Sequence, residues 1–392
     1  MTRSTYLPFG RPEFGPEEED AVLRVLRSGW VGMGSETVAF EQELADYLGV
    51  PEVVTVSSCT AALHLSLLVN KVGPGDEVIV PSLTWCSTAN AALYVGATPV
   101  FCDVDADTMC ATWETIAPKI TERTRAVIVV HYGGFAADTQ QIRTHLPAHI
   151  ALIEDAAHAL GTRHPDGSMV GSHGNMTCFS FYANKNLSAG EGGAIALFDS
   201  AEAEHLRKLR LHALQTNAWK RFTSKQVFDI GLSELGYKMN WTDLQASIAR
   251  VQLRRQEEFH VTRQAIVARY CEALPRILPG ITWQTGFDGP GRHAGHLFVV
   301  KLPLEALPMS RDELLLGMRS HNVGASLHYA LLHTMPLYTG SKPAASLPTV
   351  EFLGPRLLTL PISASMKETD VADVLSALQQ TLEKPSSSAL RT

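Results

Sequence analysis

The sequence predicts an α/β protein built on a mostly parallel central sheet with helices on both faces, followed by a smaller α+β part. Three observations predict it. From residue 53 to residue 198, short apolar strands alternate with helical segments, and such alternation needs crossover helices and hence parallel strands. From residue 275 to 392 the pattern changes to short strands, separate helices and Pro/Gly-rich stretches. The length, 392 residues, accommodates one large domain and a smaller one.

Residues 1–15 read as irregular and extended. A helix over 16–27 opens with Glu17, Glu18, Glu19 and Asp20, whose charges suit the positive end of a helix dipole. Ser28-Gly29-Trp30-Val31-Gly32-Met33-Gly34 breaks it, and 37–48 forms a second amphipathic helix. The alternation then runs strand 53–56, helix 60–71, a turn at Gly73-Pro74-Gly75-Asp76, strand 78–80 and helix 87–95. It continues with strand 99–104, a helical stretch near 113–120, strand 126–131, a helical stretch near 138–145 and strand 150–153. Strands 177–182 and 194–198 flank a polar, glycine-rich reversal containing Lys185. A helix over 201–214 follows, then a polar surface segment over 216–238, then one long helix over 242–270. The C-terminal part holds a strand over 296–302, a helix over 311–321, a Pro/Gly-rich loop region over 336–361, a helix over 369–382 and a frayed Ser-rich tail over 385–392. The domain boundary is placed near residue 255, giving a large domain over 1–255 with an N-terminal arm and a small one over 256–392.

Composition excludes several classes. The net charge of −7 offers no basic field for nucleic acid or an acidic membrane surface. No apolar run reaches spanning length, and Met1-Thr2-Arg3-Ser4-Thr5 leads into Pro8, Gly10 and Pro12 rather than a secretory core. The six cysteines are scattered without a Cys-x-x-Cys pair, which suits buried thiols in a reducing cytoplasm. The fifteen histidines form no metal-ligand spacing, so no metal site is expected.

Sheets of this kind bind ligands at the carboxyl ends of their strands. Ser57-Ser58-Cys59-Thr60-Ala61-Ala62-Leu63 joins a strand end to a helix start, where free N–H groups suit an anion; alone it is also an ordinary helix cap. Trp85 follows the next strand and can stack on a flat ring or pack in the core. Asp155 ends a buried strand, where a carboxylate is costly unless paired; a protonated pyridine nitrogen is one partner, a helix cap the plain alternative. His158, a turn later, can reach a ring hydroxyl or sit satisfied in the core. Ser180 precedes Lys185 by five residues and can add a hydroxyl to a phosphate. Lys185 on its own reads as a solvated loop lysine, or, if desolvated, as an amine that can form a Schiff base with an aldehyde cofactor. Chain order and placement together are those pyridoxal phosphate needs.

On these residues the chain resembles the nucleotide-sugar aminotransferases of the DegT/StrS family, enzymes of the fold-type I pyridoxal-phosphate class. The resemblance runs from about residue 8 to 382. It is carried by Ser28-Gly29-Trp30, Thr60-Ala61-Ala62-Leu63, Gly75-Asp76-Glu77-Val78-Ile79-Val80-Pro81, Gly96-Ala97-Thr98-Pro99-Val100-Phe101, Glu154-Asp155-Ala156-Ala157-His158-Ala159, and Phe179-Ser180-Phe181 through Lys185 to Glu191-Gly192-Gly193. It implies Lys185 as the Schiff-base lysine, Asp155 on the pyridine nitrogen and Trp85 on the ring. It also implies His158 near the ring oxygen, and Thr60, Ala61 and Ser180 on the phosphate. Gly236-Tyr237-Lys238-Met239-Asn240-Trp241-Thr242-Asp243 resembles the segment that crosses to a neighbouring subunit, with Asn240 completing the partner's phosphate site in a homodimer. Many members carry Asn-x-Arg there. The variant Lys238-Met239-Asn240, with Val130-His131-Tyr132-Gly133 and Leu327-His328-Tyr329, looks closest to enzymes aminating a 4-keto nucleotide sugar, such as the UDP-4-amino-arabinose type. Gly32, Met33, His328 and Tyr329 are the expected substrate contacts.

The resemblance implies ping-pong transfer from glutamate or glutamine. A C3-keto sugar or a keto-cyclitol acceptor remains open within the family. Lys185 argues against the dehydratases that carry His there. A dinucleotide oxidoreductase fails, because Gly190-Glu191-Gly192-Gly193 lacks the third glycine and precedes a strand rather than a helix. A non-catalytic cofactor-binding regulator is disfavoured by Lys185 and Asp155.

Overall fold

The structure is a computed structural model and describes residues 3–214, 232, 234–339 and 346–383. Most of the polar segment expected over 216–238, and the tail over 385–392, lie outside the described residues.

A seven-stranded sheet has the order β1 (Glu52–Val56), β7 (Gly193–Leu197), β6 (Met176–Ser180), β5 (Ala151–Asp155), β4 (Thr124–Val130), β2 (Glu77–Pro81) and β3 (Thr98–Cys102). From β6 to β3 the neighbours are parallel, while β7 is antiparallel to both β1 and β6. Six strands therefore end on one edge, and β7 begins there. Side chains alternate between two buried faces: Val78, Val80 and Ile128 join one core, and Ile79, Val127 and Val129 another.

Helices connect and cover the sheet: α1 (Pro16–Ser28), α2 (Ser35–Leu48), α3 (Cys59–Val69), α4 (Cys86–Tyr94), α5 (Trp113–Ile116), α6 (Thr139–His145) and α7 (Ser200–Leu209). Ser58 caps α3 by accepting from the Ala61 N–H at 3.1 Å, and Asp138 and Asp199 cap α6 and α7.

The expected long helix over 242–270 is instead two helices, α8 (Asp243–Arg254) and α9 (Gln256–Ile277). They part at Arg255, whose φ of −89° and ψ of 3° leave the helical well. The two serve different cores. Helix α8 packs on α1 and α2, while Ile266, Val267, Tyr270 and Leu274 of α9 enter a second core. That core surrounds an antiparallel sheet of β8 (Thr282–Trp283), β9 (Phe298–Lys301) and β10 (Leu357–Leu360), with α10 (Arg311–Ser320) and α13 (Glu368–Leu382).

The region expected as loop over 336–361 also differs. It contains α11 (Pro336–Thr339), α12 (Pro348–Leu353) and β10. Flanking prolines at 355 and 361 frame a run, Leu357-Leu358-Thr359-Leu360, that is fully buried and pairs with β9. Among the described residues, no helix is long and apolar enough to cross a membrane.

One interaction fastens the N-terminal helices to the rest. Gly34 begins α2 without a side chain to cap it. Asp243, 2% exposed, supplies the cap from α8: it accepts from the Gly34 N–H at 2.7 Å, the Thr37 N–H at 3.0 Å and the Thr37 hydroxyl at 2.7 Å. A Cβ at Gly34 would fall 2.4 Å from Trp30 Nε1, so the approach needs glycine. Asp243→Ala strands these buried donors and should cost about 2–4 kcal/mol, read as a lower midpoint in urea denaturation at unchanged slope; a midpoint within error of wild type would refute the role.

Candidate active site

The strand edge opens into a cavity of about 480 Å³. Thr60, Trp85, Asp155, His158, Ser180, Lys185, His328 and Tyr329, all expected site residues, line it. The sheet explains the convergence: β1 delivers α3, β2 delivers Trp85, β5 ends in Asp155 and β6 ends in Ser180.

Lys185 sits in the turn after β6, its N–H bonded to the Tyr182 carbonyl at 2.9 Å. Burial pushes its amine down to about 8, against weaker opposing effects of Cys59 and Asp155. At neutral pH a useful fraction is therefore an unprotonated nucleophile.

Asp155 is 4% exposed and has no Lys or Arg ion pair among the described residues. Its Oδ2 accepts from the Thr88 hydroxyl at 2.8 Å, and its Oδ1 from the Ala157 N–H at 3.1 Å and the Cys59 thiol at 3.8 Å. Thr88 has one proton, which it gives to Asp155, so Thr84, 2.9 Å away, donates to Thr88. Burial raises the Asp155 carboxyl above its ordinary value, and the Thr88 and Ala157 bonds oppose it. A buried carboxylate so held, facing a cavity, is matched to a cationic ring nitrogen.

His158 is kept neutral, because burial and then the Lys185 charge press its pKa far down. The Gly133 N–H points at Nδ1 at 3.3 Å, so the ring proton sits on Nε2 and is donated to the Tyr329 hydroxyl at 3.0 Å. The Tyr329 proton is then free for an acceptor in the cavity. His328 packs on Phe9 with ring centroids 4.9 Å apart, its Nδ1 2.9 Å from Thr359 Oγ1, and the Tyr132 hydroxyl donates to its carbonyl. Trp85 stands 59% exposed at the start of α4, its ring 5.6 Å from that of Tyr329. An indole left this open on a cavity wall offers a face to a flat ligand.

Ser58, Cys59 and Thr60 at the start of α3, with Ser180 opposite, supply N–H groups and hydroxyls for an anion. A Cβ at Gly193 would fall 2.5 Å from the Ser58 carbonyl carbon, and one at Gly192 2.7 Å from the Trp241 ring. The glycine run lets β7 start against α3 and is a packing device. Carboxylate, lysine, open indole and helix N-terminus together fit pyridoxal phosphate.

Four expected residues are not brought to this cavity. Ala61 lies behind it, its N–H taken by the Ser58 cap. Gly32 and Met33 sit in the α1–α2 loop, where the Gly32 carbonyl accepts from the Asp243 N–H at 2.9 Å and the Met33 carbonyl from Trp30 Nε1 at 3.3 Å. Asn240 accepts from Lys238 Nζ at 2.5 Å and donates to the Trp241 carbonyl at 3.0 Å. Conversely, sequence reasoning misses Thr88 and Cys59 as Asp155 partners and Thr84 as the donor to Thr88. The only available signal is a pair of threonines, 84 and 88, one helical turn apart on either side of Trp85, a spacing common to ordinary helix starts.

Residues 12–379 match the DegT/DnrJ/EryC1/StrS aminotransferase family. The chain belongs to this family. It is thereby a pyridoxal-phosphate-dependent sugar aminotransferase, with the mixed α/β fold of that class. Solved relatives agree along nearly the whole chain. The aminotransferase TlmJ from Streptoalloteichus hindustanus is 33% identical, with a TM-score of 0.86 over 97% of this chain and 99% of that one. A putative sugar aminotransferase, Spr1654 from Streptococcus pneumoniae, solved in its PMP-form, is 28% identical, with a TM-score of 0.87 over 96% and 99%. DesV from S. venezuelae, solved in complex with a ketimine intermediate, is 31% identical, with a TM-score of 0.84 over 96% and 100%.

The depressed Lys185 amine sets a pH dependence. Attachment of pyridoxal phosphate to the apoenzyme, followed by absorbance, should accelerate as the amine deprotonates through about pH 8 and level off above it. A rate still climbing past about pH 10, where an ordinary lysine titrates, would contradict the burial argument.

Proposed function

We propose that this aminotransferase moves an amino group from glutamate, or glutamine, to C4 of a keto nucleotide sugar by ping-pong transfer. The observation that carries the amino-transfer chemistry is a single cavity joining a lysine amine near pKa 8 to a buried carboxylate that has no ion pair among the described residues. The nucleotide-linked acceptor and the C4 position rest on the resemblance of Lys238-Met239-Asn240, Val130-His131-Tyr132-Gly133 and Leu327-His328-Tyr329 to 4-keto-sugar enzymes. The solved relatives described as sugar aminotransferases, Spr1654 and CalS13 from Micromonospora echinospora, support a sugar acceptor.

Pyridoxal phosphate, when bound, supplies an aldehyde that carries the amino group and a ring that takes up electrons. Lys185 Nζ holds it and, once displaced, takes the proton from the donor's α-carbon and returns one to the acceptor carbon. Asp155 keeps the ring nitrogen protonated, and Thr88 and Cys59 keep Asp155 aligned. Trp85 covers a ring face. Thr60, Ser180 and the N–H groups starting α3 hold the phosphate. His158 orients Tyr329, whose free proton meets an oxygen of cofactor or acceptor, and His328 shapes the acceptor pocket. Residues 1–255 serve as the cofactor domain and 256–392 as the small domain. The six cysteines are free thiols, which suits a reducing cytoplasm.

Gly32, Met33 and Asn240 are read as contributions to a neighbour's site. They lie near one another, since Gly32 bonds Asp243, three residues beyond Asn240, and none reaches the cavity of its own chain. An isologous dimer would exchange such patches reciprocally.

Incubation of purified enzyme with glutamate and a panel of keto nucleotide sugars, read by mass spectrometry, tests the acceptor. Amination of a 4-keto sugar nucleotide is expected. Turnover of only a C3-keto sugar or a keto-cyclitol would move the acceptor, and no turnover of any would defeat the assignment.

Thr88→Val should retain cofactor yet slow transfer about tenfold or more, because one charge-assisted hydrogen bond to Asp155 contributes about 1.5–3 kcal/mol. Asp155→Asn should slow it further. If Thr88→Val matched wild-type kcat, Thr88 would be merely structural.

Lys185→Ala and Asn240→Ala proteins, each impaired alone, should recover activity when mixed and exchanged, since one site of the mixed dimer carries neither lesion. Absence of recovery after verified subunit exchange, or a fully active monomer in sedimentation, would exclude shared sites.

A further inference from the structure

A buried histidine that the mechanism leaves unused packs against one that lines the cavity. His296 is buried, is not itself a lining residue, and lies just before β9. Its segment is sewn to the loop after β4. The Ala294 N–H donates to the Gly134 carbonyl and the Leu297 N–H to the Gly133 carbonyl, both at 3.0 Å. The Gly133 N–H in turn faces His158. The His296 and His158 rings pack together, with centroids 4.5 Å apart and planes inclined by 31°.

His296 also meets the lysine turn. Its Nδ1 lies 3.1 Å from Oδ1 of Asn186, the residue directly after Lys185. Asn186 Nδ2 donates to the Ala294 carbonyl at 3.2 Å, which fixes the amide with its oxygen toward His296. An amide oxygen only accepts, so His296 carries its proton on Nδ1 and donates it. Burial, and then the Lys185 charge, press the His296 pKa far down, so the ring is neutral at pH 7 and has this one proton to give. The Asn186 carbonyl is held as well, by Gln256 Nε2 at 3.0 Å. A phenyl ring would fill the same buried place without desolvating two nitrogens. What the imidazole adds is a donor, and the donor holds the neighbour of Lys185.

Taking Lys185 as the residue that holds the cofactor, we propose that His296 is a positioning residue for it. His296, steadied against His158, fixes Asn186 and with it the turn from which the Lys185 amine reaches the cavity. The Lys185 N–H, bonded to the Tyr182 carbonyl, ties the near side of that turn, and Asn186 ties the far side. An amine placed in advance has less freedom to lose when it attacks an aldehyde.

Attachment of pyridoxal phosphate to the apoenzyme, followed by absorbance, tests this without turnover. Borohydride reduction and peptide mapping of the wild type first locate the attachment. A site other than Lys185 would sink the reading of the active site and this proposal with it. Attachment at Lys185 leaves the role of His296 to the variants. His296→Phe keeps a ring against His158 and loses the donor, and it should attach about fivefold or more slowly, the factor that one buried hydrogen bond is worth. His296→Asn puts an amide nitrogen near the place of Nδ1 and should recover most of the loss, although it fills the site less well. A packing role predicts the reverse order, with the phenyl ring nearest to wild type. Wild-type attachment by His296→Phe, or slower attachment by His296→Asn than by His296→Phe, overturns the proposal. Neutron diffraction from the unaltered protein decides the donor even if both variants fail to fold. A deuteron on His296 Nδ1 aimed at Asn186 Oδ1 is expected, and one on Nε2 alone overturns the proposal.

Discussion

Asp155 is a nearly buried carboxyl that burial raises above its ordinary value. Its charged form, at a strand end and 4% exposed, needs compensation from its surroundings, and among the described residues its hydrogen-bond donors are all neutral: a threonine hydroxyl, a backbone N–H and a thiol. The compensation left undone is the fit for a cationic ring. Around that need the rest is arranged. β5 sets the carboxylate at the sheet edge, α4 brings Thr88, α3 brings Cys59, and the turn after β6 brings the lysine 30 residues along the chain.

The order of strands and helices in the large sheet was legible because its strands are buried on both faces. Runs such as Val78-Ile79-Val80 leave little ambiguity when each is followed by a helical stretch. The placement of Lys185, Asp155 and Trp85 at the cavity was legible because each lies at or just past a strand end. Thr88 was not, since a hydroxyl in a helix has many uses and its partner lies 67 residues away. The break at Arg255 was hidden because residues 242–270 keep helical character on both sides of it; only packing against two different cores separates α8 from α9. The buried strand Leu357–Leu360 was hidden by the prolines around it, which signal loop locally while its pairing with β9 is a tertiary fact.

The three tyrosine and histidine groups on the cavity's far wall show a different economy. His158 spends both nitrogens on the protein, one on Gly133 and one on Tyr329. His158, expected near the ring oxygen, lines the cavity and also orients the Tyr329 phenol. On the proposed reading the acceptor side of the cavity is set by Tyr329 and His328, which arrive from the C-terminal part, and the cofactor side by the sheet, so that chemistry and selectivity come from separate lengths of chain.

That division bears on how the enzyme could be re-engineered. At the cofactor side, β7 and α3 meet with no room for even a methyl group at Gly193, so a mutational library there would be mostly dead sequence. The wall around Tyr329 is tied to the sheet edge only through hydrogen bonds and ring contacts, His158 to Tyr329 and Tyr132 to the His328 carbonyl. Laboratory selection for new acceptors should therefore place its diversity at the exposed neighbours Leu327 and Ala330, keep His328 and Tyr329, and leave the glycine run untouched.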